Sequence, residues 1–178
     1  MEEALKLENY TYEDYLDIDK STKERVELIF GKIYMMAGAS ALHQDIVGNI
    51  FFSIKSISKK DKKCTPRVAP FDLKLEVENK INIVQPDIML FCDGDDLPCA
   101  VFEVLSPSTA YKDKTVKKEL YEKSGIKEYF LVNSDYKLIE KFMIIEDKYQ
   151  YIGVFGEKDN LRIDCLNCDI SLEEIFEI

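Results

Sequence analysis

Two short apolar runs in the middle of the chain each carry one carboxylate, and they limit the fold more than any other feature of the sequence. Asp87 follows Gln85-Pro86 within the run 83 to 91, and Glu103 is flanked by Ala100, Val101, Phe102, Val104 and Leu105. Such runs read as strands of a sheet. A lone ionised acid in so apolar a strand is costly to bury unless a cation or hydrogen-bond donors meet it. Two of them on neighbouring strands can offer converging oxygens to a hard divalent ion such as Mg²⁺. That ion can then activate water and offset charge on a phosphoryl transition state. The alternative is that each acid faces solvent at a strand end.

The rest of the pattern supplies partners for those strands. Thr11 to Leu16 predicts a short helix with Thr11 as its N-cap. Arg25 to Met35 alternates as a strand, with a turn at Gly31-Lys32. Ser40 to Lys59 is the clearest helix, with Leu42, Ile46, Val47, Ile50, Phe51, Ile54 and Ile57 on one half of the wheel. Extended segments follow at 71 to 77, 83 to 91 and 99 to 105, then a helix from about 112 to 124 closed by Gly125. A strand at 129 to 132, a hairpin from 138 to 155 and a helical turn after Ser171 complete an α/β arrangement (α+β with a mixed sheet) in one domain over residues 1–178.

The 112 to 124 helix adds a third chemical element. On a 100° wheel Asp113 and Lys117 fall on the same side as Val116, Leu120 and Tyr121, while Lys114, Lys118 and Glu122 point away. Asp113 precedes Lys117 by four residues, so a partly buried salt bridge competes with a catalytic lysine that orients water or neutralises an oxyanion. His43, the only histidine, lies one turn into the 40 to 59 helix, either as a satisfied core residue or at the rim of a site. Glu27 is directed away from Val26 and Leu28 on its strand, where an exposed acid is the default.

Charge restricts partners less than its total suggests. The formal net charge is −10, yet residues 1–24 and 157–178 each carry −5 and the span between them is neutral. A polyanionic substrate is therefore compatible with the middle of the chain. The lysine run 59 to 63 reads as solvation of a helix end, without the interleaved aromatics of a base-stacking surface. No run approaches the roughly 20 apolar residues of a bilayer span, and the acidic start Met1-Glu2-Glu3 is unlike a signal peptide, so a cytoplasmic protein is expected. Five cysteines, an odd number, point to reduced thiols, and Cys165-Leu-Asn-Cys168 reads as a coincidental CxxC. No GxGxxG, Walker loop, HExxH or GxSxG is present.

The segments Val26 to Gly31, His43-Gln44, Val84-Gln85-Pro86-Asp87 and Val101-Phe102-Glu103-Val104-Leu105-Ser106-Pro107-Ser108-Thr109 carry a family resemblance, as do Asp113, Lys117, Tyr121 and Gly125 ahead of Glu128 to Val132. In this order they resemble the Uma-type restriction endonucleases of the PD-(D/E)XK nuclease superfamily, from about residue 10 to 155. The resemblance implies a restriction-endonuclease-like core and Mg²⁺- or Mn²⁺-dependent hydrolysis of nucleic acid, DNA in the first instance, by a homodimer. It implies Asp87 and Glu103 as metal ligands and catalytic acids, Glu27 as a further ligand, and His43, Asp113 and Gln85 as auxiliary residues. The usual lysine two residues after the second acid is here Leu105, on the same strand face as Glu103, and Lys117 takes its role. The alternative is a nuclease fold without turnover, serving as a binding or regulatory module.

Overall fold

The computed structural model describes residues 9–94 and 96–178; the acidic start Met1 to Glu3 lies outside them. Thr11 and Asp14 form a reciprocal capping box that starts α1 (Tyr12–Ser21), one turn longer than the apolar pattern predicts. β1 (Val26–Ile29) and β2 (Lys32–Met35) make the expected hairpin around Phe30-Gly31. Gly31 adopts φ +75°, which strains any side chain, and a Cβ there would press on the backbone of Asn9 at 3.1 Å. Ser40 caps α2 (Ala41–Asp61) through the His43 N–H.

The extended region is organised differently from its sequence pattern. β3 (Cys64–Val68) precedes β4 (Leu73–Val77), and the run 83 to 91 is broken in two, ending β5 (Lys80–Val84) and starting β6 (Ile88–Cys92). The break lies at Gln85-Pro86-Asp87, where Pro86 has no N–H to give a ladder. Its two halves join different sheets: β5 belongs to an antiparallel sheet ordered β2-β1-β5-β4. β6 belongs to a six-stranded sheet with β7 (Ala100–Val104), β8 (Glu128–Asn133), β9 (Leu138–Ile145) and β10 (Lys148–Gly156), ordered β10-β9-β8-β7-β6-β3. Only β7 and β8 among its pairs are parallel, as the intervening helix requires, so the sheet is mixed as expected. β11 (Asn160–Ile163) and β12 (Cys168–Ser171), which the sequence pattern does not announce, form a separate hairpin before α5 (Leu172–Phe176).

The helix after Ser106 runs from Ala110 to Ser124 in three pieces: α3 (Ala110–Lys112), a π-helical turn (Asp113–Lys117) and α4 (Lys118–Ser124). It packs in the layer between the two sheets, where Leu120 and Tyr121 join Ile29, Leu73, Leu75, Met89, Val101 and Tyr129 in one core. The opposite face of the large sheet is covered by α2, α5 and the β11–β12 hairpin, and α1 covers the outer face of the small sheet. The cysteines depart from expectation: Cys64 is disulfide-bonded to Cys92 and Cys99 to Cys165, and only Cys168 is free. These pairings span 28 and 66 residues; strand register sets the first and the packing of the β11–β12 turn against the sheet sets the second, neither of which cysteine parity reports.

Candidate active site

The two acids of the apolar runs meet at one end of β6 and β7. Ile88 pairs with Phe102, so Asp87 lies one register step beyond it, beside Glu103. The Val104 N–H donates to Asp87 Oδ2 at 2.7 Å, His43 Nε2 lies 3.2 Å from the same oxygen, and Asp87 lines the cleft. His43 thus stands at the rim of a site rather than in the core. The hydrogen bond to Asp87 raises its pKa, with burial acting in the opposite sense.

Glu103 is buried on the face of β7 that looks toward the lysine helix. Its Oε1 accepts from Lys117 Nζ at 3.0 Å and from Tyr121 OH at 2.7 Å. Burial pushes the Glu103 carboxyl up to about 8, against the pull of Lys117. Burial likewise lifts Asp113 to about 6. For Lys117 burial opposes the charge, but Glu103, Glu27 and Asp113 together outweigh it and hold the ammonium protonated. Lys117 therefore combines the two readings of the sequence: it is salt-bridged to Asp113 at 3.7 Å and is also the cation of the carboxylate cluster.

Glu27 is fully buried rather than exposed. Its Oε1 receives the Gln85 N–H at 2.9 Å and Lys117 Nζ at 3.0 Å, and its Oε2 receives Lys112 Nζ at 3.0 Å. Burial would raise its pKa, yet Lys117, Lys112 and the Gln85 amide hold it below the usual carboxylate range. Expected as a further metal ligand, Glu27 has both oxygens engaged by the chain's own donors. Gln85 acts through its backbone, while its side chain reaches Asp72 at 2.8 Å.

Lys112 is the residue the sequence reading misses. On a 100° wheel it stands 140° from Lys117, but a π turn advances less per residue, so both ammonium groups converge on Glu27. No sequence signal marks the π turn, although π turns recur at functional sites.

These side chains line a cleft of ≈ 450 Å³ floored by Asp87, Glu103, Lys112, Asp113 and Lys117 and walled by His43 and the 106–109 loop. Four carboxyl groups, counting Glu27, face two ammonium groups; burial disfavours the ionised forms of Glu103 and Asp113, and with all four ionised the excess of two negative charges would suit one divalent cation. Among the described residues, three of the four buried side-chain polar atoms without a hydrogen-bond partner belong to lining residues: His43 Nδ1, Gln85 Oε1 and Asp113 Oδ1. Such atoms call for a polar occupant, and the oxygen donors fit a hard ion.

Comparisons with known proteins bear on the family and the fold. The chain is 29% identical over 174 residues to the uncharacterized protein slr1290 of Synechocystis sp., covering 92% of this chain and 90% of that protein. It is 28% identical over 153 residues to the uncharacterized protein sll1609 of the same organism, covering 80% and 81%. Its fold matches the crystal structure of a "putative nuclease belonging to DUF820" from Anabaena variabilis with a TM-score of 0.76 and 17% identity, over 94% of this chain and 97% of that one. Residues 12–173 match the model of the family Uma2, described as "Putative restriction endonuclease", and the chain belongs to that family.

Proposed function

We propose that the protein is a metal-dependent endonuclease that hydrolyses phosphodiester bonds of DNA, with Asp87 and Glu103 holding Mg²⁺ or Mn²⁺. The observation that carries this reading is the juxtaposition of Asp87 and Glu103 across β6 and β7, with Lys117 on Glu103. When bound, the ion supplies Lewis-acid neutralisation of the phosphate oxygens and acidifies water. The chain's own residues prepare the ground for that chemistry. His43 and the Val104 N–H hold Asp87 Oδ2, so that Oδ1 is the oxygen left for the ion. Tyr121 and Lys117 hold Glu103 Oε1 and leave Oε2 as the donor. An ammonium has three N–H donors, and Glu27 and Glu103 take two of those on Lys117 at 3.0 Å. The third can be given to an attacking water or to charge developing on phosphorus. Glu27 serves as anchor for both lysines rather than as a ligand.

The test is cleavage of plasmid, linear and single-stranded DNA and of RNA with Mg²⁺ or Mn²⁺. Wild type is expected to cut DNA, and Asp87→Ala and Glu103→Ala to reduce the rate by about 10²–10³-fold, the scale of losing an electrostatic element of the site. Equal activity in wild type and variants would mean a contaminant, and inactivity of a metal-loaded wild type would favour the binding-module reading.

The same proposal includes a homodimer, since cutting both strands of a duplex calls for two sites. The edge strand β10 exposes Tyr151, Ile152 and Val154, an apolar edge suited to a second copy. Sedimentation should give twice the chain mass of 20.6 kDa, reverting to one on Ile152→Lys. Among the described residues no helix is long and apolar enough to cross a membrane.

A further inference from the structure

At the end of β6 and β7 remote from the carboxylates, four cysteines from four chain segments meet. Cys64 opens β3 and is the register partner of Cys92, the last residue of β6. Cys99 stands just before β7, its N–H on the Leu90 carbonyl, and Cys165 lies in the turn between β11 and β12. Cys64, Cys92 and Cys99 are buried, and Cys165 packs against the same core. Besides the two disulfides, Cys99 Sγ lies 3.4 Å from Cys92 Sγ, and the sulfurs of Cys92, Cys99 and Cys165 all fall within 4.8 Å of one another.

Two disulfides need only that each cysteine meet its own partner. Here Cys92 of one pair lies against both sulfurs of the other, an approach that two independent disulfides do not require. A tetrahedral zinc–thiolate site has Zn–S bonds of about 2.3 Å, which places its sulfurs roughly 3.8 Å apart. The sulfurs of Cys92, Cys99 and Cys165 already lie within 4.8 Å of one another, and Cys64 is held beside them by its bond to Cys92, so reduction of the disulfides would leave four thiols around one place. We propose that the reduced protein holds one Zn²⁺ on Cys64, Cys92, Cys99 and Cys165. Binding releases the protons of the four thiols and yields a centre that ties the six-stranded sheet to the β11–β12 hairpin. Soft sulfur donors select a thiophilic ion, whereas the oxygen donors of the cleft select a hard one, so the two centres do not compete. Five residue steps along β6, about 17 Å at the usual strand rise, separate Asp87 from Cys92. Cys168, three residues beyond Cys165 and outside both disulfides, is not a ligand, so the CxxC spacing itself has no part in the site.

The test uses the whole chain, reduced with a phosphine under argon, stripped of metal and titrated with Co²⁺. The expected result is one equivalent bound with thiolate-to-cobalt charge-transfer and tetrahedral d–d absorption, bleached by one equivalent of Zn²⁺. Cys99→Ser and Cys165→Ser should weaken binding by more than about tenfold, while Cys168→Ser and Asp87→Ala leave the spectrum unchanged. Disulfides that resist the phosphine in the folded protein, a reduced wild type without charge-transfer bands, or loss of the bands in Cys168→Ser would each overturn the proposal. A serine variant that fails to fold leaves the wild-type spectrum to decide. Because the signal is read without nucleic acid and survives Asp87→Ala, it stands or falls separately from the nuclease reading.

Discussion

Lys117 is the residue on which the cluster turns, because it is the one ammonium that Glu27, Glu103 and Asp113 share. Removing it leaves Glu103 buried without its ammonium and Asp113 with only the weaker pull of Lys112, whereas removing Lys112 leaves Glu27 still paired with Lys117 and the Gln85 amide. Breaking a buried pair by deleting one partner costs about 3–5 kcal/mol. We therefore expect Lys117→Met to lower the unfolding free energy by about that amount and Lys112→Met by roughly half as much, measured by urea unfolding at pH 7. Equal losses would show that the two lysines are interchangeable props. At this scale much was legible: an acid isolated in an apolar strand announces a partner, and the wheel turned Asp113 and Lys117 inward. The burial of Glu27 was not legible, because alternation gives only a direction. What lies in that direction, here the lysine helix, is decided by how the two sheets pack.

At the scale of elements, the site depends on two irregularities. Pro86 ends β5 and lets β6 begin in another sheet, which places Asp87 in the gap between the sheets instead of in the middle of a ladder. The π turn brings Lys112, Asp113 and Lys117 together on the buried side of the helix. The proline was visible in the sequence, but an apolar run on both sides of it reads as one strand. The π turn left no trace, since its residues are ordinary helix formers. The same helix is also fastened at its other end. Glu122 accepts from Lys148 Nζ at 2.9 Å and from the Tyr149 N–H at 2.7 Å, clasping the β9–β10 hairpin. Burial would raise its pKa, but these two donors prevail and lower it. A carboxylate with a lowered folded pKa contributes stability that is present above its unfolded value of 4.5 and is lost as pH falls through the folded one. Glu122→Gln should thus cost about 1 kcal/mol at pH 7. The deficit should shrink in urea melts run at successively lower pH below the glutamate range. A deficit independent of pH would mean that the charge contributes nothing.

For the whole molecule, the fold was legible as a mixed sheet with flanking helices, because the parallel β7–β8 pair follows from a strand, a helix and a strand in succession. Its division into two sheets was not, nor was the meeting of four cysteines, since both depend on contacts between segments far apart in sequence. The excess of −10 is likewise a poor guide to the cleft, where two lysines sit among four carboxylates. The local balance there is what a divalent ion would correct, and it makes a prediction for the folded protein without any substrate. An ion that binds only the native state stabilises it by about 2.7 kcal/mol at a concentration 100 times its Kd. For a chain of 178 residues, each kcal/mol moves the melting midpoint by about 2–4 °C. Saturating Mn²⁺ should therefore raise Tm by about 5–10 °C, and a chelator should reverse the shift. In Asp87→Ala one of the two ligand carboxylates is gone and the cleft is one charge less negative, so its Tm should barely respond to Mn²⁺. A shift of the same size in Asp87→Ala would place the ion elsewhere on this acidic chain and remove the metal from the proposed cleft.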